Sequence, residues 1–101
     1  MMDFKMKPSV ALQPYKELIR QVAERNHASN PRVFGSVLHG TDHDNSDLDL
    51  LVDALPGATL LDLGAIQMEL EEMLGVTVDV LTPSDLPIKY RERVLREAVP
   101  V

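Results

Sequence analysis

The chain has 101 residues, no cysteine and a formal net charge of −6. One domain is expected at this length, and the lack of cysteine excludes a disulfide framework and a zinc–thiolate site. The negative balance argues against direct binding to a nucleic-acid backbone. It leaves room for a nucleotide held through a metal, because a divalent ion inverts the local charge logic.

With 45% apolar and 26% charged residues the composition is that of an ordinary globular domain. No apolar run approaches the ~20 residues needed to span a bilayer. Residues 1–11 carry Asp3, Lys5 and Lys7 and lack the apolar centre of a signal peptide. A soluble, cytoplasmic protein with no membrane contact is expected.

Residues 1–10 read as a loose lead-in. From Leu12 the pattern is helical: Tyr15, Leu18, Ile19, Val22 and Ala23 form one apolar stripe, with Pro14 suited to a first turn. The polar stretch 26–31 ends this helix, since Pro31 disfavours helix at Asn30. Arg32-Val33-Phe34 is a short strand that runs into Gly35-Ser36. Residues 37–38 form a helical turn before Gly40, and residues 41–46 are a polar turn cluster.

Residues 48–52 alternate as a strand, with Leu48, Leu50 and Val52 on one face and Asp47, Asp49 and Leu51 on the other. After the Pro56-Gly57 turn, Thr59 and Asp62 suit a capping box. Leu63, Ile66, Leu70, Met73 and Leu74 then trace a core helix, and Gly75 suits its C-terminal stop. Residues 76–81 are a β-branched strand. A loop at 82–85 precedes a last helix, residues 87–98, with Tyr90, Val94 and Ala98 on one side. The alternation predicts an α/β (α+β) fold: a small mixed sheet of three to four strands covered by helices.

The chemistry concentrates in residues 35–49. Asp47 and Asp49, two apart on a strand, project together with Cα atoms roughly 6.5–7 Å apart. A glycine turn lets backbone N–H groups approach a phosphate, and a serine hydroxyl adds a donor. Mg²⁺ binds through one or two carboxylates plus phosphate oxygens, and two such ions can stabilise both oxygens of an in-line displacement. Gly35, Ser36, Asp47 and Asp49 supply these parts. Asp79, an acid inside the apolar strand 76–81, is the candidate third acid if that strand lies beside 48–52. It would be a metal ligand and the base that orients an attacking hydroxyl.

Other patterns carry less. Residues 42–53 are spaced like a calcium loop, but the sixth position is Asp47 rather than glycine and the twelfth Asp53 rather than glutamate. His39 and His43 read as loop histidines. Arg91, Arg93 and Arg96 read as a solvated helix face. The apolar tail Ala98-Val99-Pro100-Val101 reads as a place for a partner.

Gly35-Ser36, ten intervening residues, Asp47-Leu48-Asp49 and the later Asp79 together resemble the minimal nucleotidyltransferase family of the polymerase-β-like superfamily. Gly40 and Ser46 match two further family positions. The resemblance spans roughly residues 32–81. It implies the nucleotidyltransferase fold, with Gly35, Ser36, Gly40 and Ser46 binding nucleotide. It also implies Asp47, Asp49 and Asp79 as catalytic, metal-binding acids for Mg²⁺, with ATP as substrate. It further implies an antitoxin that transfers AMP to a tyrosine hydroxyl of a HEPN-domain toxin, an RNase, within a hetero-oligomer. Many members carry arginines at the positions of Val37 and His39. Here the phosphate charge falls to metal and backbone, or to Arg32, Lys89, Arg91 or Arg93. The same departure supports a second reading, a binding module that neutralises its toxin by steric occlusion.

Overall fold

A computed structural model describes residues 6–101. Of the expected loose lead-in, residues 1–5 lie outside the described residues, whereas Pro8–Ala11 forms a short helix, α1, with proline at its start. A 3-10 turn, Gln13–Tyr15, leads into α2, Lys16–Arg25, which buries Ile19, Val22 and Ala23. Leu18, expected in the same stripe, is partly exposed.

Strand β1, Ala28–Phe34, begins four residues earlier than the sequence pattern indicates. Its turn-forming residues mark a bulge, not an end. Between Ser29 and Arg32 three steps on β1 oppose two on its neighbour, and Asn30 adopts φ 52°. Pairing across the sheet therefore overrides the local signal of Asn30-Pro31. One helical turn, α3, Ser36–His39, follows Gly35 and closes on Gly40 at φ 70°. Strand β2, Leu48–Ala54, fills the stretch with calcium-loop spacing, so no calcium-binding helix–loop–helix forms there.

Helix α4, Leu60–Leu74, starts at the Thr59/Asp62 capping box and stops at Gly75, whose φ of 71° suits a left-handed cap. Strand β3 covers only Val78–Leu81. The expected loop 82–85 contains a 3-10 turn, Pro83–Asp85, with its own Thr82/Asp85 capping box. Helix α5, Ile88–Glu97, then leads to β4, Val99–Pro100.

The sheet is mixed, in the order β3-β2-β1-β4. β1 pairs antiparallel with β2 and β4, and β2 pairs parallel with β3. Helices α2 and α4 cover one face. There Ile19, Val22, Ile66 and Leu70 pack against Leu48, Leu50, Val52 and Val78.

Two expectations about the final segment are corrected. The apolar tail is used internally: Val99 pairs with Val33, and the Val101 N–H donates to Pro31 O. On α5 the less exposed positions are Arg91, Val94 and Ala98, while Tyr90 faces outward. Arg91 is no solvated residue, because its guanidinium donates to Ser84 O at 3.1 Å and Leu86 O at 2.9 Å. It ties α5 to the 3-10 turn that packs on β2.

Candidate functional site

The site lies where β1 ends and β2 and β3 begin. Asp47 immediately precedes β2, Asp49 is its second residue, and Asp79 is the second residue of β3. Parallel register makes Asp49 and Asp79 direct neighbours. Strands in a sheet stand about 4.8 Å apart, so these two acids share one small patch. Phe34 pairs with Asp49 across the β1–β2 ladder, which brings Gly35 alongside the same residue. Alternation along β2 sends Leu48 and Leu50 into the core and leaves Asp49 on the other face, as expected.

Gly35 has φ 73° and ψ −147°, a region essentially closed to residues with a side chain. A Cβ there would collide with Asp49 Oδ2. The glycine is thus demanded twice, by backbone and by the carboxylate it faces. Asp47 and Asp79 are exposed, whereas Asp49 is half-buried. Burial, then the negative charges of Asp79 and Asp47, push the Asp49 carboxyl up to about 6.

Negative charge gathered around the half-buried Asp49 is unfavourable unless a cation offsets it. The hard oxygen donors of these acids suit Mg²⁺. Among the described residues no three His, Cys, Asp or Glu side chains lie close enough to enclose an ion by themselves. Asp49 and its register neighbour Asp79 offer the one or two carboxylates that Mg²⁺ takes beside phosphate oxygens and water.

The other predicted residues fall around this centre. Ser36 opens α3, and its carbonyl accepts the Thr41 N–H at 3.0 Å. Gly40 closes that turn, and a Cβ added there would meet open space. Ser46 Oγ accepts the His43 N–H at 2.8 Å, which folds residues 43–46 into a turn and leaves the hydroxyl proton for another acceptor. Ser46 also borders a cleft of about 190 Å³ with Asp44, Asn45 and Thr77.

The cations weighed as phosphate ligands are engaged elsewhere. Arg32 reaches both Asp53 oxygens at 3.2 Å, and that hydrogen bond holds the Asp53 carboxyl below its usual range. Lys89 and Arg93 lie over the Tyr90 ring, 5.6 and 5.4 Å from its centroid. His39 Nε2 is 3.2 Å from Glu97 Oε2. Sequence reasoning also missed Asp42. It stands among six polar residues at 41–46 with nothing local to mark it, yet it is buried, with only 7% of its surface exposed.

Comparison with known proteins agrees with this geometry. Residues 15–101 match the nucleotidyltransferase domain family. A Methanocaldococcus jannaschii protein, provisionally named a protein adenylyltransferase, is 37% identical over 85% of this chain and 92% of its own length. The protein adenylyltransferase MntA of Thermococcus cleftensis is 35% identical over 79% of this chain and 81% of its own. A solved structure provisionally described as a minimal nucleotidyltransferase superposes with a TM-score of 0.82 at 42% identity, covering 92% of this chain and 95% of that one. A toxin–antitoxin structure with AMP-PNP shares the fold, with a TM-score of 0.70 at 22% identity over 84% of this chain and 70% of that one. By its glycine turn, its facing strand acids and these matches, the chain belongs to the nucleotidyltransferase domain family, as a minimal nucleotidyltransferase.

Proposed function

We propose that the protein is a Mg²⁺-dependent adenylyltransferase that acts as an antitoxin. It moves AMP from ATP to a tyrosine hydroxyl of a HEPN-domain toxin in a cytoplasmic hetero-oligomer. The observation that carries this reading is the register of Asp49 beside Asp79, with Gly35 packed on Asp49. The names of the similar adenylyltransferases support the reaction class.

In this reading the backbone at Gly35 and Ser36, the Gly40 turn and the Ser46 hydroxyl hold the triphosphate. Asp47, Asp49 and Asp79 would hold two Mg²⁺ ions, which would supply positive charge against the triphosphate and its leaving pyrophosphate. Asp79, exposed at the edge of the patch, orients the acceptor hydroxyl and takes its proton. The tyrosine oxygen forms a bond to the α-phosphorus, the α–β phosphoanhydride bond breaks, and pyrophosphate departs. The half-buried Asp49 stays fixed by Gly35, so the ligand set is positioned before substrate arrives.

Incubation with α-labelled ATP, Mg²⁺ and a HEPN toxin encoded beside this gene should label the toxin. Asp47→Ala with Asp49→Ala should abolish labelling in a folded protein. A folded parent that never transfers label would overturn the reading. Steric occlusion is the second reading, favoured by the pairing of His39 with Glu97, which occupies a side chain near the glycine turn. It requires toxin neutralisation to survive loss of all three acids.

A further inference from the structure

Asp42 is the one buried charged side chain among the described residues. It sits in the segment between Gly40 and Asp47, which has no helix or strand of its own. Both ends of that segment are pinned. Thr41 N–H donates to Ser36 O at the start, and the His43–Ser46 turn and Leu48 N–H to Thr77 O hold the end. Next to Thr41, Asp42 Oδ2 accepts the backbone N–H of Ser9 at 2.9 Å across 33 residues of sequence. Burial opposes the charge on Asp42, but hydrogen bonds from Ser9 and the nearby Lys7 keep its carboxyl below the usual range. Burying a charge costs free energy unless it is paired and hydrogen-bonded, and Ser9, through its backbone N–H and its side chain, supplies those bonds.

We infer that Asp42 is a positioning residue: by gripping the Ser9 N–H it uses α1 as a fixed post that sets the loop carrying Ser46 and Asp47. It touches no reacting atom. It acts by holding the approach of Ser46 to the nucleotide and of Asp47 to the metal. A displacement of about 1 Å in such groups lowers rates by orders of magnitude. The activity readout rests on the adenylyl-transfer reading, whereas the backbone readout does not.

Three variants of the full chain test this by amide hydrogen exchange and by steady-state transfer from ATP. Asp42→Ala should speed exchange at residues 43–47 at least about tenfold while α4 stays protected. It should lower kcat/KM for ATP at least about tenfold, with kcat falling as well as KM rising because Asp47 is displaced along with Ser46. Asp42→Asn, whose amide oxygen still accepts the Ser9 N–H, should restore both. Ser9→Ala keeps the backbone donor and removes only the side-chain bond to Asp42, so both losses should be smaller than in Asp42→Ala. If Asp42→Ala fails to fold, Asp42→Glu replaces it, since its longer side chain shifts the loop while keeping the charge, and the same losses are expected. An alanine variant with unchanged exchange, or an asparagine variant as impaired as alanine, overturns the inference. A parent that shows the exchange pattern but never transfers AMP sinks the reaction and leaves the tether standing.

Discussion

Gly35 faces the carboxylate of Asp49 so closely that no side chain fits between them. That contact joins the end of β1 to the second residue of β2 and gives the glycine turn its orientation over the acids. Gly35→Ala should therefore do more than strain the backbone. We expect a loss of about 2–4 kcal/mol in unfolding free energy and of at least about 100-fold in AMP transfer. Gly40→Ala also meets a positive φ but open space, so about 1 kcal/mol and a small rate change are expected. Thermal unfolding and labelled transfer measured on both variants check the contrast.

The acid patch makes a pH prediction. Burial and the neighbouring acids Asp79 and Asp47 push the Asp49 carboxyl up to about 6, from an ordinary 3.8. A raised folded value means a contribution to stability that is fully present below about pH 4 and lost as pH rises through about 6. Asp49→Asn should thus stabilise the Mg²⁺-free protein above pH 7 by about 1 kcal/mol after discounting for solvent screening. The difference should close below pH 4. Adding Mg²⁺ should raise the melting temperature of the parent and not of Asp49→Asn. Equal Mg²⁺ response in both would remove Asp49 from the ligand set.

The Arg32–Asp53 pair predicts the opposite slope. The Arg32 hydrogen bond depresses the Asp53 carboxyl. Its contribution is present above the unfolded carboxylate range and lost as pH falls through the folded value. Arg32 is largely buried, but the Asp53 side chain is 45% exposed, so the effect is about 1 kcal/mol. Asp53→Asn should lower stability by that amount at pH 7, converge with the parent in acid, and leave ATP affinity unchanged. Arg32→Ala should likewise leave ATP affinity unchanged, and a fall there would show that Arg32 serves the phosphates after all.

Residues 99–101 should matter to the fold. Val99 and Pro100 pair with β1, Val101 N–H binds Pro31 O, and Arg20 donates to the Val101 carbonyl. Deleting these residues exposes the β1 edge and the apolar surface beneath Val101. A loss of about 2 kcal/mol is expected, together with faster exchange confined to β1. Unchanged stability would return this segment to the role of a free partner-binding tail.

Much of the site is local chemistry and is visible in the chain. Gly35-Ser36, the Asp47/Asp49 alternation, the Thr59/Asp62 cap and the Gly75 stop each depend on a few neighbouring residues. Period-two alternation alone puts Leu48 and Leu50 inward and Asp49 outward. By contrast, Pro31 signalled a break where cross-strand pairing makes a bulge, and Arg91 looked solvated although carbonyls of the turn just before its own helix hold it.

From sequence alone come the two-layer alternation of helices and strands, the spacing of turn and acids, and a candidate third acid. Tertiary structure alone decides that Asp79 stands beside Asp49, that Gly35 closes on that acid, that Arg32 belongs to Asp53, and that Asp42 reaches back to Ser9. The reason is physical. Propensity, capping and side-chain period are set within a turn or two of chain, whereas register, burial and ion pairing are set between segments tens of residues apart, where only the packed fold selects the partner.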